Sequence, residues 1–520
     1  MRRSRGGLLA KRAPKAPIGE ETAITRRARG SRGREAGLSD VALLVRDRDL
    51  PASSGLVFER RNPTTGEIAT RAAAATVEDA NAAAAAAAAA FPAWSALGPS
   101  QRRARLAAAA NELERRGPDF VAAMAEETGA TEAWGRFNVT LAAAMLREAA
   151  AMTTQIAGQI IPSDKPGMMA MALRQPVGVV LGLAPWNAPV ILGVRALAAP
   201  LACGNTVVLK GSEICPRTHR LIGEVFRAAA LGEGVVNVLS NAPADASRIV
   251  EALIAHPTVR RVNFTGSTRV GRQVAELAAR HLKPALLELG GKAPLVVLDD
   301  ADVDAAVAAA AFGAFMNQGQ ICMSTERLIV DETVADEFAR KLAAKAATLV
   351  AGDPRKAKTP LGSIVGFEAV ERIVALVRDA VAKGARALAG GAANGVLMDA
   401  TVLDHVTPAM RIYAEESFGP VAAIIRVGGV EEAVRVANDS EYGLASAVFG
   451  RDLTRALAVA RRLETGICHI NGPTVHDEAQ MPFGGVKASG YGRFGGAAAI
   501  HEFTELRWIT IGSGAGRYPI

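Results

Sequence analysis

Two periodicities divide this chain. Between residues 77 and 153 apolar positions recur at helical spacing, with alanine filling 82–90, and the stretch reads as consecutive helices. One of these is expected to open at Ser100 as N-cap, run through 102–116 and stop at Gly117-Pro118. Its charged positions, from Arg102 to Arg116, are expected to form a solvated face. From residue 168 the pattern changes to short β-branched or apolar runs at 169–174, 178–183, 205–210, 234–239 and 260–264, with helical segments at 216–230 and 246–255 between them. Alternation of this kind predicts a parallel sheet with crossover helices, an α/β doubly wound architecture that takes ligands at strand carboxyl ends. A second series follows Glu288, with strands at 294–298, 327–330, 421–425, 445–449 and 467–471 and helices at 303–318, 334–350 and 455–464. Residues 503–511 read as one more strand, whose pairing partner is expected in another subunit.

The window 176–194 carries no charge and approaches the length of a membrane span. Pro185, Asn187 and Pro189 near its middle make it a buried strand followed by a loop, so a soluble protein with no membrane partner is expected. The formal charge of +8 lies entirely in residues 1–38, leaving 39–520 electrically balanced. The basic tail has a disordered composition; it reads as an inert or overextended start, a targeting segment or a polyanion-binding arm, and no nucleic-acid partner is expected of the globular part. The cysteines Cys203, Cys215, Cys322 and Cys468 show no paired spacing, which suits a reduced cytoplasmic setting and predicts no metal site.

Candidate chemistry centres on Asn317-Gln318-Gly319-Gln320-Ile321-Cys322-Met323-Ser324 and on Glu288-Leu289-Gly290-Gly291-Lys292. A thiol attacks a carbonyl as thiolate, and a carboxylate within reach can serve as the base. Taken alone, Cys322 could equally be a small buried hydrophobe. Three further motifs follow predicted strands. Asn187 between two prolines is either a rigid hydrogen-bond donor or part of a structural turn. Lys210-Gly211-Ser212-Glu213 could hold a ribose or phosphate, or be a surface pair. Phe264-Thr265-Gly266-Ser267-Thr268-Arg269-Val270-Gly271 precedes a helix, whose N-terminal N–H groups suit a pyrophosphate.

In order and approximate spacing these motifs, with Glu416-Ser417-Phe418-Gly419-Pro420 and Pro482-Phe483-Gly484-Gly485-Val486-Lys487, resemble the aldehyde dehydrogenase superfamily from about residue 55 to about 512. The resemblance implies two doubly wound parallel-sheet domains plus a small β oligomerisation element. The NAD-binding domain would span 39–155 and 175–287, the catalytic domain 288–499, and the oligomerisation strands 156–174 and 500–515. It also implies that Cys322 is the nucleophile, Asn187 the oxyanion-hole amide and Glu288 the general base, whose presence favours a free acid over a coenzyme A thioester.

For the cofactor, the same resemblance places Trp186, Gly266, Ser267 and Gly271 along the pyrophosphate, Lys210 and Glu213 at the adenine ribose, and Glu416 with Phe418 at the nicotinamide. Glu213 would repel a 2′-phosphate, favouring NAD; Gly211, where many relatives have proline, implies a looser loop and leaves NADP possible. The run Ile470–Gln480 resembles the salicylaldehyde, vanillin and benzaldehyde dehydrogenase branch. Trp134, as an aromatic wall, and Arg195, as a cation for a ring substituent, are the candidate substrate contacts; core packing and a surface helix charge are their alternatives. His476 is expected to make a turn contact. An aliphatic or semialdehyde oxidant and a catalytically silent member of the fold are the competing functions, and a homodimer or homotetramer is expected.

Overall fold

The computed structural model describes residues 25–26 and 39–512; the reading of 1–38 as a basic tail falls, apart from Thr25–Arg26, outside them. Four helices open the globular part: α1 (Val77–Ser95), α2 (Pro99–Arg115), α3 (Gly117–Thr128) and α4 (Glu132–Met152). Thr76 and Asp79 form a reciprocal capping box at the start of α1, and the small buried faces of Ala80, Ala83, Ala84 and Ala87 let that helix lie close to the sheet.

The start expected for the second helix is corrected, while its stop falls where expected, at Arg115 with Arg116 as the C-terminal cap. Gly98 rather than Ser100 is its cap, with the Gln101 side chain reaching back to the Gly98 N–H at 3.1 Å and Pro99 in the first turn. Helix α2 ends before Gly117-Pro118, but the dipeptide is not a lasting break: it begins α3, because a proline at the first positions gives up an N–H that would have no partner there. Arg102 is not solvated either. It is buried and donates from Nε to the Ala202 carbonyl at 3.2 Å, closing the C-terminal end of a neighbouring helix.

Eight strands form the first large sheet, in the order Gly490–Tyr491, Ala285–Glu288, Val259–Thr265, Val179–Leu183, Thr206–Lys210, Val236–Leu239, Leu43–Val45 and Arg48–Leu50. The middle five are parallel, and the strands outside them run antiparallel. Val179–Leu183 comes first along the chain among the five and lies at their centre, so the winding reverses beside it. That reversal leaves a crevice at the strand carboxyl ends. Helices α5 (Pro189–Ala202), α6 (Pro216–Ala228), α7 (Ala246–Ala255) and α8 (Thr268–Arg280) cross between the strands. Burial on both faces explains why 179–183 and 206–210 are nearly continuous apolar runs.

The second sheet has seven strands, ordered Arg386–Ala389, Thr401–Asp404, Val421–Val427, Thr325–Asp331, Ala293–Val297, Ala445–Phe449 and Ile467–Ile470; all but the first are parallel. Helix α9 (Val303–Phe315) stops three residues before its expected end, for a reason found at the candidate site. A third, antiparallel sheet joins Gln159–Ile161, Met168–Pro176 and Thr504–Gly512. Its last strand pairs along nine positions with Met168–Pro176 of the same chain and forms an edge of that sheet. Among the described residues no helix is long and apolar enough to cross a membrane, and no group of three or more His, Cys, Asp or Glu is placed to hold a metal ion.

Candidate active site

Beyond α9 the chain turns sharply through three left-handed residues, Asn317 (φ 49°), Gln318 (φ 56°) and Gly319 (φ 68°). Only the glycine adopts this conformation without strain, and a Cβ there would lie 2.0 Å from the Gly419 carbonyl oxygen. Buried amides hold the other two. Asn317 Nδ2 donates to the Asn187 carbonyl at 3.0 Å; Gln318 accepts from the Gly362 N–H at 2.8 Å and donates to the Ser363 carbonyl at 3.1 Å; Gln320 accepts from the Val365 N–H at 3.0 Å. This over-determined turn delivers Cys322, partly exposed, to the boundary between the two large sheets. Gly291 lets the strand-end loop approach it, since a Cβ there would meet the Cys322 carbonyl oxygen at 2.1 Å.

Glu288 ends its strand wholly buried, its carboxylate facing the Cys322 thiol and without any nitrogen or oxygen hydrogen-bond partner. Burial pushes its pKa up to about 7; Arg195 pulls it down and Asp477 pushes it further up. The Cys322 thiol is raised well above its ordinary value, first by burial and then by the neighbouring Glu288 charge, while Arg195 acts in the opposite direction. Both effects favour the protonated thiol, beside a base poised near neutrality.

Asn187, two residues before α5, donates from Nδ2 to the Gln320 carbonyl at 3.0 Å, which brings its amide to the cysteine turn. Its own carbonyl accepts from Trp134 Nε1 at 2.9 Å as well as from Asn317. Trp134 is buried and stacked on Phe137 at 5.4 Å, so it supports Asn187 directly. Arg195 is no surface charge. It is buried in an ion pair with Asp477, its guanidinium 4.2 Å from the Phe483 ring centroid and 5.8 Å from that of Phe494. His476 bonds Glu478 at 2.9 Å and packs against His469.

On the far side of Asn187 a cleft of about 720 Å³ follows the crevice of the first sheet, lined by Trp186, Lys210, Glu213, Gly266 and Ser267 among others. Lys210 Nζ and the Glu213 carboxylate are 3.2 Å apart. Burial works to raise Glu213, but the Lys210 charge and hydrogen bonds outweigh it and hold the carboxyl below its usual range. Ser267 caps α8 through Val270. An anion-favouring helix start, a carboxylate–ammonium pair and this volume fit a dinucleotide.

Gly271 does not line the cleft: a Cβ there would meet the Leu289 side chain at 2.4 Å, so the glycine serves the packing of α8. Nor does Gly211 loosen the Glu213 loop. Its N–H donates to the Leu239 carbonyl at 3.0 Å, and the next N–H, of Ser212, is held by His219.

Glu416 accepts from the Gly291 N–H at 2.8 Å, and burial followed by the Glu326 charge raises its pKa to about 7. Phe418 stands edge-on to Trp186 at 5.8 Å. Their loop is anchored by Glu326, which accepts from the N–H groups of Ser417 and Phe418 and is itself ion-paired with the fully buried Lys292. Glu326, Asp477 and Phe483 emerge as site residues only here. Their partners are distant in sequence, and an acid inside an apolar strand is the one hint that Glu326 left.

A model described as "Aldehyde dehydrogenase family" matches residues 51–509. A vanillin dehydrogenase from Pseudomonas fluorescens is 66% identical over 481 residues, covering 92% of this chain and 100% of that protein. A crystal structure of a salicylaldehyde dehydrogenase from Pseudomonas putida G7, complexed with salicylaldehyde, is 51% identical with a TM-score of 0.91, covering 93% of this chain and 100% of that one. PnpE from Pseudomonas sp. WBC-3, solved in complex with nicotinamide adenine dinucleotide, is 36% identical with a TM-score of 0.88, over 92% and 99% of the two chains.

Proposed function

The chain belongs to the aldehyde dehydrogenase family, and from that premise we propose that it oxidises aromatic aldehydes of the vanillin, salicylaldehyde and benzaldehyde type to their carboxylic acids, with NAD as the preferred cofactor. It is an oxidoreductase acting on aldehydes with a nicotinamide dinucleotide. The aromatic reading rests on one arrangement: the buried Arg195–Asp477 pair, with the Arg195 guanidinium over the Phe483 ring and near Phe494, within electrostatic reach of Cys322 and Glu288. Such a wall suits a planar ring bearing a polar substituent, and the vanillin and salicylaldehyde dehydrogenases named above support it.

In this reading the Cys322 sulfur, its proton taken up by Glu288 or by solvent, attacks the aldehyde carbon. The carbonyl oxygen becomes an oxyanion received by the Asn187 amide and the Cys322 N–H; aimed donors of this kind contribute about 3–4 kcal/mol each. Bound NAD supplies the acceptor for the hydride that leaves the thiohemiacetal carbon. Glu288, after passing any proton gained from the thiol to solvent, then takes a proton from water, the hydroxide adds to the resulting thioester, and the carbon–sulfur bond breaks to release the acid and the Cys322 thiolate. Lys210 and Glu213 hold the adenine ribose, Glu213 disfavouring a 2′-phosphate. Trp186, Gly266 and Ser267 would hold the pyrophosphate, and Glu416 with Phe418 would receive the nicotinamide.

The enzyme works as a cytoplasmic homodimer or homotetramer assembled through the three-stranded sheet, whose exposed Ile160, Leu506 and Trp508 offer the apolar surface. The substrate assignment is tested by comparing kcat/KM for substituted benzaldehydes with that for straight-chain aldehydes and a semialdehyde, followed by NADH absorbance. Higher values for the ring compounds are expected, and a preference for straight chains would overturn the aromatic assignment.

A further inference from the structure

The end of the strand Thr206–Lys210 and the loop from it to α6 carry both groups assigned above to the cofactor ribose, with Gly211 between them. What holds the loop lies beneath. His219, one turn into α6, is 1% exposed. Its Nδ1 accepts the Ser212 N–H at 2.9 Å, and the Cys215 sulfur lies 3.6 Å from the same nitrogen. An Nδ1 used as an acceptor places the ring proton on Nε2. Burial, helped by the Lys210 charge, holds the ring pKa down at about 3, so the acceptor persists through the working pH range.

Both edges of this ring press on glycines. A Cβ at Gly211 would sit 2.9 Å from both the Cβ and the Nδ1 of His219, and 3.1 Å from its Cγ. A Cβ at Gly193, within α5, would lie 3.2 Å from Cδ2 and 3.6 Å from Nε2. One neutral ring is therefore wedged between the ribose loop and the helix that starts two residues beyond Asn187. A proline at 211 would meet the ring and would also lose the N–H that bonds Leu239 at 3.0 Å. Ser212 is the hub of the loop: its side chain accepts from the Ile214 N–H at 3.2 Å and its carbonyl from the Cys215 N–H at 3.2 Å.

We propose that His219 is a positioning residue for the cofactor: through the Ser212 N–H it sets the Lys210–Glu213 geometry that receives the adenine ribose, and Gly211 is glycine to admit its ring. The inference rests on the assignment of Lys210 and Glu213 to the ribose. Removing the acceptor leaves the Ser212 N–H buried and unpaired and weakens dinucleotide binding, while Cys322 and Glu288 are untouched.

The test uses the full chain and steady-state kinetics with NAD varied. His219→Leu is expected to raise KM for NAD about tenfold, with kcat at saturating NAD changed by less than about threefold. His219→Asn, which can place a side-chain oxygen near the Nδ1 position, is expected to recover most of that loss. Equal losses in the two variants, or a fall in kcat at unchanged KM, overturn the proposal. Glu213→Gln tests the ribose assignment separately. If it leaves KM for NAD unmoved while His219→Leu raises it, the ribose assignment fails and His219 acts on another part of the cofactor site. If Glu213→Gln raises it and His219→Leu does not, the positioning role fails. Should both His219 variants misfold, Gly211→Ala decides, because it presses on the ring from the loop side. A raised KM for NAD is expected there, and an unchanged one overturns the proposal.

Discussion

Arg195 and Asp477, far apart in the chain, meet in an ion pair whose side chains are 6% and 7% exposed. A pair so buried is held by mutual compensation: removing one partner strands the other charge, at about 3–5 kcal/mol. Arg195→Met and Asp477→Asn are each expected to lower unfolding stability on that scale in urea titrations. Their effects on catalysis should oppose one another. Arg195 lowers the Glu288 pKa and Asp477 raises it, so losing the cation moves the acid limb of the pH–rate profile to higher pH, and losing the anion moves it lower. Shifts in the same direction would show that the pair acts on shape alone.

Glu288 combines a catalytic assignment with a stability penalty. Its pKa is raised from the ordinary 4.5 to about 7, so across that interval the folded chain keeps a proton that the unfolded chain has released. Stability therefore falls as pH rises from 4.5 to about 7 and levels off above. Glu288→Gln removes the ionisation. It should stabilise the protein by up to about 3 kcal/mol near pH 8 and by little near pH 4.5, measured as the difference in denaturant midpoints. In rapid mixing the same variant should give a burst of NADH close to one per subunit and then a slow steady state, because thioester hydrolysis has lost its base.

Much of this arrangement was legible in the sequence, because strand ends announce themselves. Val179–Leu183 and Thr206–Lys210 are largely apolar runs, Val259–Thr265 a β-branched and mixed one, and each is cut off by proline or glycine beside the crevice. What escaped depends on contacts that local pattern does not encode. Asn317 and Gln318 have ordinary helical propensities, and the amide bonds of Asn317 to Asn187 and of Gln318 to residues 362 and 363 hold their left-handed turn. Arg102 looks solvated until Ala202 is folded against it. Gly117-Pro118 follows the end of α2 and also opens α3, a second helix that shows only once Phe120, Ala123 and Met124 are buried. Thr504–Gly512 shows its strand character locally, but its partner 168–176 is far away in the chain.

Lys292 and Glu326 form the second fully buried pair, and Glu326 also accepts the N–H groups of Ser417 and Phe418. Lys292→Met leaves that carboxylate without its counter-ion, and a loss of about 3–5 kcal/mol is expected. Because Glu326 anchors the loop of Glu416 and Phe418, KM for NAD should rise as well. The double variant Lys292→Met with Glu326→Gln should lose less stability than the two single losses added together, since the residues share one network. Strict additivity in a double-mutant cycle would contradict the coupling.

Trp134 stands where a role in substrate contact and a role in supporting Asn187 predict different kinetics. Its indole N–H reaches the Asn187 carbonyl at 2.9 Å, and that carbonyl also accepts from Asn317 at 3.0 Å. Trp134→Phe keeps most of the ring that stacks on Phe137 and removes the donor without orphaning the acceptor, at a cost of about 1 kcal/mol. If the bond positions the Asn187 amide for the oxyanion, kcat should fall about fivefold, with KM for the aldehyde little changed. Asn187→Ala, which removes the donor itself, should cost about 10²–10³ in kcat. If Trp134 instead forms the wall of the aldehyde pocket, the same substitution raises KM for bulky benzaldehydes and leaves kcat alone. Steady-state kinetics with benzaldehyde and a ring-substituted homologue separate the two, and the hydrogen bond favours the first.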